Sequence, residues 1–433
     1  MAQRLHRALP LLIWLGVLWG PGMPASLAQQ AAAETPVTLR LADSPKALVD
    51  EVWQTVGREF YDPGFNRLDW PQVRSELLGR EYASKDDAYR AIRTALKKLG
   101  DPYTRFLTPR EYQNQLEQTS GEWIGVGMNL GTVEDSGVPV IVRIFPDGPA
   151  ARAGLQVKDQ IVAIDHQPVA GRGFDALTQS IRGKKGTALT LTLRRGGGEP
   201  FTVTLTRAAL ELPVVKARLQ QEGGFKLGYI QLQQFNAKAG QEVRAALDAL
   251  GGEGARGWIL DLRNNPGGRV DAAAEVTSLL LAEGAIVSAV DRTGRRETIR
   301  ATGRARTDLP LVVLVDRGSA SASEIVAGAL QDYRRATLVG MPTFGKGVIQ
   351  QINGLSDGSG LNVTIARYRT PAGREIHKKG ISPDVLVGIP EGVRQKLTAS
   401  GQWGGEADEQ YRRAAAVLSE QLQRTIGLEA PDG

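Results

Sequence analysis

Residues 208–390 alternate short apolar runs with amphipathic segments, and this alternation leaves the chain few architectures. "LGYIQLQQF" precedes "AKAGQEVRAALDAL", "GWILDLR" precedes "VDAAAEVTSLLLA", and "LPLVVLVD" precedes a serine-rich helical segment. Apolar spacing of two, then of three and four, marks strands and helices in turn. A βαβα series of this kind predicts a largely parallel sheet covered on both faces, with ligands bound outside the strands' carboxyl ends. "GVIQQI" and "GLNVTIARYRT" add later strands, and residues 406–426 read as a polar amphipathic helix.

Upstream the period changes twice. "SPKALVDEVWQTVGREFYD" and "SKDDAYRAIRTALKKLG" have helical spacing, each opening with serine. "DPYTRFLTPREYQ" reads as a connector packed on a neighbour. From about Gly121 to Arg207 apolar residues alternate, in "IGVGMNLG", "VPVIVRIF", "DQIVAID", "ALTLTLRR" and "FTVTLTR". Only "GPAARAGL" and "FDALTQSIRG" read there as short helices. The expected units are a helical amino-terminal region 45–118, a β-rich domain 119–208, an αβ core 209–390 and a helical extension 391–433. The fold class is α/β in the core and α+β over the multidomain chain.

Residues 1–28 read as a secretory signal, with Arg4 and Arg7 before "LLIWLGVLW" and small residues up to Ala28, followed by a disordered linker 29–44. The protein is therefore expected to be exported. No later apolar stretch is long enough to span a bilayer, so any membrane association is expected to be loose. The absence of cysteine excludes a disulfide framework, a lipidated amino-terminal cysteine, a thiol nucleophile and cysteine-type zinc sites. Cleavage takes two of 53 basic residues against 47 acidic ones, leaving a nearly neutral chain. Its basic residues are scattered without a basic, aromatic-studded stripe, which argues against nucleic-acid binding.

Two strand ends carry the candidate chemistry. "WILDLRNNPGGRV" ends a buried strand with Asp261 and Arg263, then pairs Gly267 with Gly268. Paired glycines let backbone N–H groups face a ligand, as in an oxyanion hole, and they are equally ordinary turn punctuation. At "DRGSASASEIVAGALQDY", Ser321 and Glu324 have capping-box spacing, which accounts for Ser321 without catalysis. Ser319 and Ser323 suit a turn and a helix surface. A serine at a helix start also suits a nucleophile, and residue chemistry alone does not choose. For a base, His377 in "GREIHKKG" is the one histidine of the αβ core, because His6 leaves with the signal and His166 lies in the β-rich domain. Lys346 in "TFGKGVIQ" is the alternative, provided burial lowers its pKa.

The order "GVG", "GPAARAGL", "KDQIVAID" and a late helix resembles a permuted PDZ domain of exported proteases. Such a domain adds a peptide to its edge strand and receives the carboxylate in a backbone loop. Gly121 to Gly125 fall at that loop, and the implied substrate-binding residues are Gly125, Val126, Gly127 and Met128. Lys158 departs from the pattern, since many PDZ domains have glycine before the aspartate.

Together, "LDLRNNPGG", "RGSASASEI", "LQDY", "TFGKGVIQ" and "ARYRTPAGREIHKKGISPD" resemble the carboxyl-terminal processing, or tail-specific, peptidases over about residues 45–390. The resemblance implies a crotonase- or ClpP-like αβ protease core that carries an inserted PDZ domain, a Ser-Lys dyad, and no metal or organic cofactor. It makes Ser321 the nucleophile, Lys346 the general base, Gln350 the lysine's support, and the N–H groups of Gly267 and Ala322 the oxyanion hole. Arg182 is a gating candidate beside the expected groove; a solvated helix-end arginine is the ordinary alternative. Substrates are expected to be proteins or peptides with exposed carboxyl termini, cut near that end. The location is the periplasm, or the thylakoid lumen in a photosynthetic source, where the D1 precursor is a candidate substrate; oligomeric state stays open.

Geometry limits these roles. An extended chain would hold Lys346 and Gln350 about 13 Å apart, so a bend near Gly347 is required. Asp332 lies about 16 Å along a helix from Ser321, and it reads, like His377, as structural. A non-catalytic PDZ scaffold or chaperone would be expected to lack the serine and lysine, both of which are present. A thioester-acting crotonase would need neither signal nor PDZ domain.

Overall fold

The computed structural model describes residues 44–133 and 138–429. The expected signal and nearly all of the expected linker lie outside them. The core is a six-stranded sheet in the order Val215–Glu222, Phe225–Leu232, Gly257–Asp261, Leu311–Val315, Thr337–Gly340 and Val385–Leu386. The first pair is antiparallel and the rest parallel. Alternate side chains of its strands enter two cores. Ile230, Leu232, Leu260 and Val313 face the helices Ala239–Gly252, Val270–Leu280 and Ala322–Asp332. Leu227, Tyr229, Ile259 and Val312 face the terminal helix Glu409–Glu429 through Tyr411, Ala414 and Leu418. The period of two that identified the strands thus also divides the layers.

The helices of residues 45–97 and 409–429 pack into the rest of the fold. Helices Pro45–Glu59, Trp70–Leu78 and Lys85–Lys97 share a core with Leu355, Leu361 and Val363. The expected connector is strand Arg105–Leu107 followed by helix Pro109–Ser120. That strand pairs with Gly360–Arg369 in a second, antiparallel sheet. The helix starts with a complete capping box between Thr108 and Glu111. The terminal helix closes one face of the core sheet, so the extension completes the core fold.

The β-rich domain has strand order Met128–Thr132, Pro139–Ile144, Gln160–Ile164, Ala188–Arg194 and Phe201–Thr206 around its own apolar core. It leaves and rejoins the chain through a ribbon of Glu122–Gly125 paired with Ala208–Glu211, which marks it as an insertion. Arg207 anchors this exit. Its guanidinium donates to the carbonyls of Ile181 (2.8 Å) and Ser180 (3.1 Å) at the end of helix Phe174–Ile181.

Lys158, the departure noted in the sequence, has φ +77°, in the left-handed region that favours glycine. A side chain there costs roughly 1–2 kcal/mol, partly offset by glycine's greater unfolded-state entropy. Lys158→Gly is expected to stabilise this domain by up to about 1 kcal/mol, read as a raised urea midpoint at unchanged m-value.

Candidate active site

The serine turn and the glycine turn leave adjacent strands and are stapled together. Ser319 Oγ donates to the Leu262 carbonyl and Ser323 Oγ to the Asn265 carbonyl, each at 2.8 Å. Ala320 N–H donates to the same Asn265 carbonyl at 3.0 Å. The outer serines of the triplet are thus structural, and both are fully buried. Ser321 instead lines a cleft of about 780 Å³ together with Lys346, Gln350, Gly267 and Gly268. Its backbone is strained, at φ +56° and ψ −113°. Such conformations cost of order 1–3 kcal/mol and persist only where the surroundings impose them.

The surroundings here are Glu324 and Tyr368. The fully buried Glu324 carboxylate accepts N–H bonds from Ser321 and Lys346, each 2.8 Å, on one oxygen. Its other oxygen accepts from Thr343 Oγ1 and Gly345 N–H, each 2.6 Å. With four donors around it, the buried charge is fully satisfied. Buried Tyr368 directs its hydroxyl between the carbonyls of Lys346 (2.7 Å) and Ser321 (3.0 Å). One carboxylate and one phenol therefore tie the two backbones together. The glutamate of the capping-box pattern holds the Ser321 N–H, and it also reaches across to the lysine loop.

Lys346 is half-buried, with its Nζ 5.0 Å from the centre of the Tyr103 ring. Burial, helped by the positive charge of Arg105, lowers its pKa to about 8, against opposing pulls from Asp101 and Glu324. An amine in this range is neutral often enough near neutral pH to accept a proton. The required bend exists, because residues 341–347 are irregular and strand Val348–Gly354 carries a bulge between Ile349 and Gln350. Gln350 lines the cleft, but its amide donates to Thr364 Oγ1 at 3.4 Å. Among the described residues no hydrogen bond joins it to Lys346.

Gly267 has φ +95°, and a Cβ placed there would fall 2.5 Å from the Ala320 oxygen and 2.8 Å from Ser321 Cβ. Its backbone therefore lies against the Ser321 turn, beside Ala322. Gly267 N–H, however, is taken up by Asn265 Oδ1 at 2.9 Å, an arrangement invisible in the spacing alone. Ala322 N–H belongs to the first helical turn, where donors have no intrahelical acceptor, and no other bond engages it among the described residues. Gly267→Ala would drive its Cβ into the Ala320 oxygen and Ser321 Cβ, so it is expected to displace the Ser321 turn and lower kcat by roughly 10²-fold, with circular dichroism checking that the variant is folded.

The remaining sequence candidates separate from the cleft. His377 stacks edge-on against Tyr103 at 6.2 Å, and burial, then Arg367, lowers its pKa. Asp332 ends the helix that Ser321 begins; it accepts Ala372 N–H at 2.8 Å and pairs with Arg374 at 2.5 Å. In the β-rich domain Met128–Thr132 is an edge strand among the described residues. The preceding loop is fixed by Ala150 N–H on the Val126 carbonyl and Phe145 N–H on the Gly127 carbonyl. Gly125 ends the connecting ribbon. Arg182 lies at the end of helix Phe174–Ile181, and its guanidinium bonds to Asn114 on helix Pro109–Ser120. Sequence reasoning missed Tyr368 and Tyr103; alternation within "ARYRT" was the signal available for the first.

Residues 226–387 match peptidase family S41, and residues 140–195 match the PDZ domain. The chain belongs to peptidase family S41, as a serine-type peptidase with an inserted PDZ domain. Its relatives carry the narrower description. It is 41% identical to the carboxyl-terminal-processing protease of Picosynechococcus sp., covering 86% of this chain and 89% of the relative. It is 42% identical to that of Synechocystis sp., covering 89% of each chain. Carboxyl-terminal-processing peptidase 2, chloroplastic, of Arabidopsis thaliana is 39% identical, covering 77% of this chain and 67% of the relative. Among solved structures, a photosystem II D1 C-terminal processing protease is 35% identical with a TM-score of 0.54, covering 86% of this chain and 99% of that one.

Proposed function

We propose that the protein is an exported endopeptidase that cuts protein substrates near their carboxyl termini through a Ser321–Lys346 dyad. The observation that carries this reading is a lysine with its pKa lowered to about 8, sharing a cleft and a common backbone clamp with a strained serine. Neutral Lys346 Nζ takes the Ser321 Oγ proton as Oγ bonds to the scissile carbonyl carbon. The carbonyl oxygen becomes an oxyanion facing Ala322 N–H, and facing Gly267 N–H once the Asn265 carboxamide turns away. The C–N bond breaks, the lysine ammonium protonates the departing amine, and an acyl-enzyme remains. Water, deprotonated by the same lysine, then cleaves the ester. Gln350, on the wall of the same cleft, supports the lysine once its carboxamide leaves Thr364 Oγ1.

The PDZ domain recruits substrate tails at Gly125 to Met128 by strand addition on Met128–Thr132. Arg182 couples that domain to the core through Asn114 and gates access. Export to the periplasm or a thylakoid lumen fits the cyanobacterial and chloroplast relatives, and in such an organism the D1 precursor is the candidate substrate. Purified wild type, Ser321→Ala and Lys346→Ala are compared on an unstructured protein. Wild-type cleavage lost in both variants is expected; cleavage by Ser321→Ala at the wild-type rate would overturn the assignment.

A further inference from the structure

We infer that Arg105 is a carboxylate receptor within the catalytic cleft, selecting substrate segments that present a carboxylate beside the scissile bond. This rests on the cleft being the proposed peptidase site and specifies what it binds. Arg105 opens strand Arg105–Leu107, whose register pairs Arg105 with Asn362. Phe106 and Leu107 are buried, which fixes the strand, while Arg105 is exposed and lines both this cleft and an adjoining hollow, where Glu111 is held by Arg93.

Three cations line that cleft: Arg105, Arg269 and Lys346. Arg269 is held by both oxygens of Asp271, the one carboxylate among the lining residues. Lys346 serves as the base and is neutral when it acts. Asp101 accepts the N–H groups of Tyr103 and Thr104, each at 3.1 Å, and the Thr104 hydroxyl at 2.7 Å. Among the described residues Arg105 has no ion-pair or side-chain hydrogen-bond partner. The nearby wall is neutral, with Gln115 and Asn362 bonded reciprocally at 3.2 and 2.9 Å. A planar fork of five donors facing a cleft without a free acceptor anion is matched by a carboxylate, bound bidentately. In a polypeptide that anion is either the terminal α-carboxylate or an acidic side chain.

The same guanidinium acts on the base. Burial is the main cause of the lowered Lys346 pKa and Arg105 the second, opposed by Asp101 and Glu324, with the Tyr103 ring packed against the ammonium. A carboxylate docked on Arg105 offsets that field, so substrate binding itself raises the basicity of Lys346.

The test compares four otherwise identical peptides: free acid or amidated at the carboxyl terminus, and with glutamate or glutamine near the cut. For wild type, KM is expected to be roughly ten- to a hundredfold lower when the preferred carboxylate is present, as for a charge-assisted hydrogen bond. The responding pair identifies its source. In Arg105→Gln that ratio falls to near one, and with the neutral peptide the rising limb of kcat/KM against pH moves to higher pH. Arg105→Lys retains part of the ratio. No carboxylate preference in wild type, or an undiminished preference in Arg105→Gln, overturns the inference. Failure of wild type to cut any of the four peptides by way of Ser321 instead overturns the peptidase reading.

Discussion

Replacing Lys346 with alanine is expected to lower kcat by roughly 10²–10⁴-fold, the usual contribution of a positioned proton acceptor. In the wild type, kcat/KM against pH is expected to rise from the acid side and level off above about 8, since only the neutral amine can take the Ser321 proton. An unburied lysine would place that limb near 10.5. Stability has its own signature. The folded pKa lies below the unfolded value, so the unfolded chain binds more protons between about 8 and 10.5, and Lys346 penalises folding most fully below that window. Lys346→Met is therefore expected to be inactive yet to melt higher than wild type at pH 7, the gain shrinking as pH rises through the window. A thermal scan at three pH values reads this directly, and a uniform drop in Tm would contradict it.

The second large effect is expected at a residue that does not line the cleft, Asp408. Asp408→Ala should destabilise the protein by roughly 3–5 kcal/mol, as breaking a buried ion pair does. Arg263 is buried and donates to Asp261 at 2.9 and 2.6 Å and to Asp408 at 2.8 and 2.7 Å, with Tyr229 Oη donating to Asp261 at 2.6 Å. Its guanidinium stacks on Trp403 at 4.6 Å. Arg263 begins the loop that leads to Gly267, so the segment after residue 400 is bolted to the glycine turn. Activity should fall with stability, and urea unfolding followed beside peptide hydrolysis measures both. Burial raises the Asp408 pKa, but the hydrogen bonds and charge of Arg263 outweigh it and leave it below the ordinary carboxylate value. Its stabilising share is thus present above about pH 4 and lost as pH falls through the depressed value, so the variant should lack that part of the acid transition.

Asp261 and Arg263 stood out in the sequence as charges closing an apolar strand, yet nothing near them named Asp408, 145 positions away. The same limit explains the amino-terminal region. Helical spacing located two of its helices, whereas strand Arg105–Leu107 exists because Gly360–Arg369 offers it an edge. Helix Pro109–Ser120 carried a legible signal in Thr108 and Glu111, outweighed by the turn formers around it.

Local periodicity and spacing determined the alternating core, a separate β-rich domain, the strand ends with unusual residues and the short set of candidate groups. These depend on contacts within a few residues, where sequence distance stands for spatial distance. Tertiary packing separates the three serines, because Ser319 and Ser323 are bonded to a loop from another strand while Ser321 lines the cleft. It also lowers the pKa of Lys346 to about 8. A pKa is set by what surrounds an amine, and here that means burial first, then the charges of Arg105, Asp101 and Glu324, which the fold gathers from distant stretches of chain.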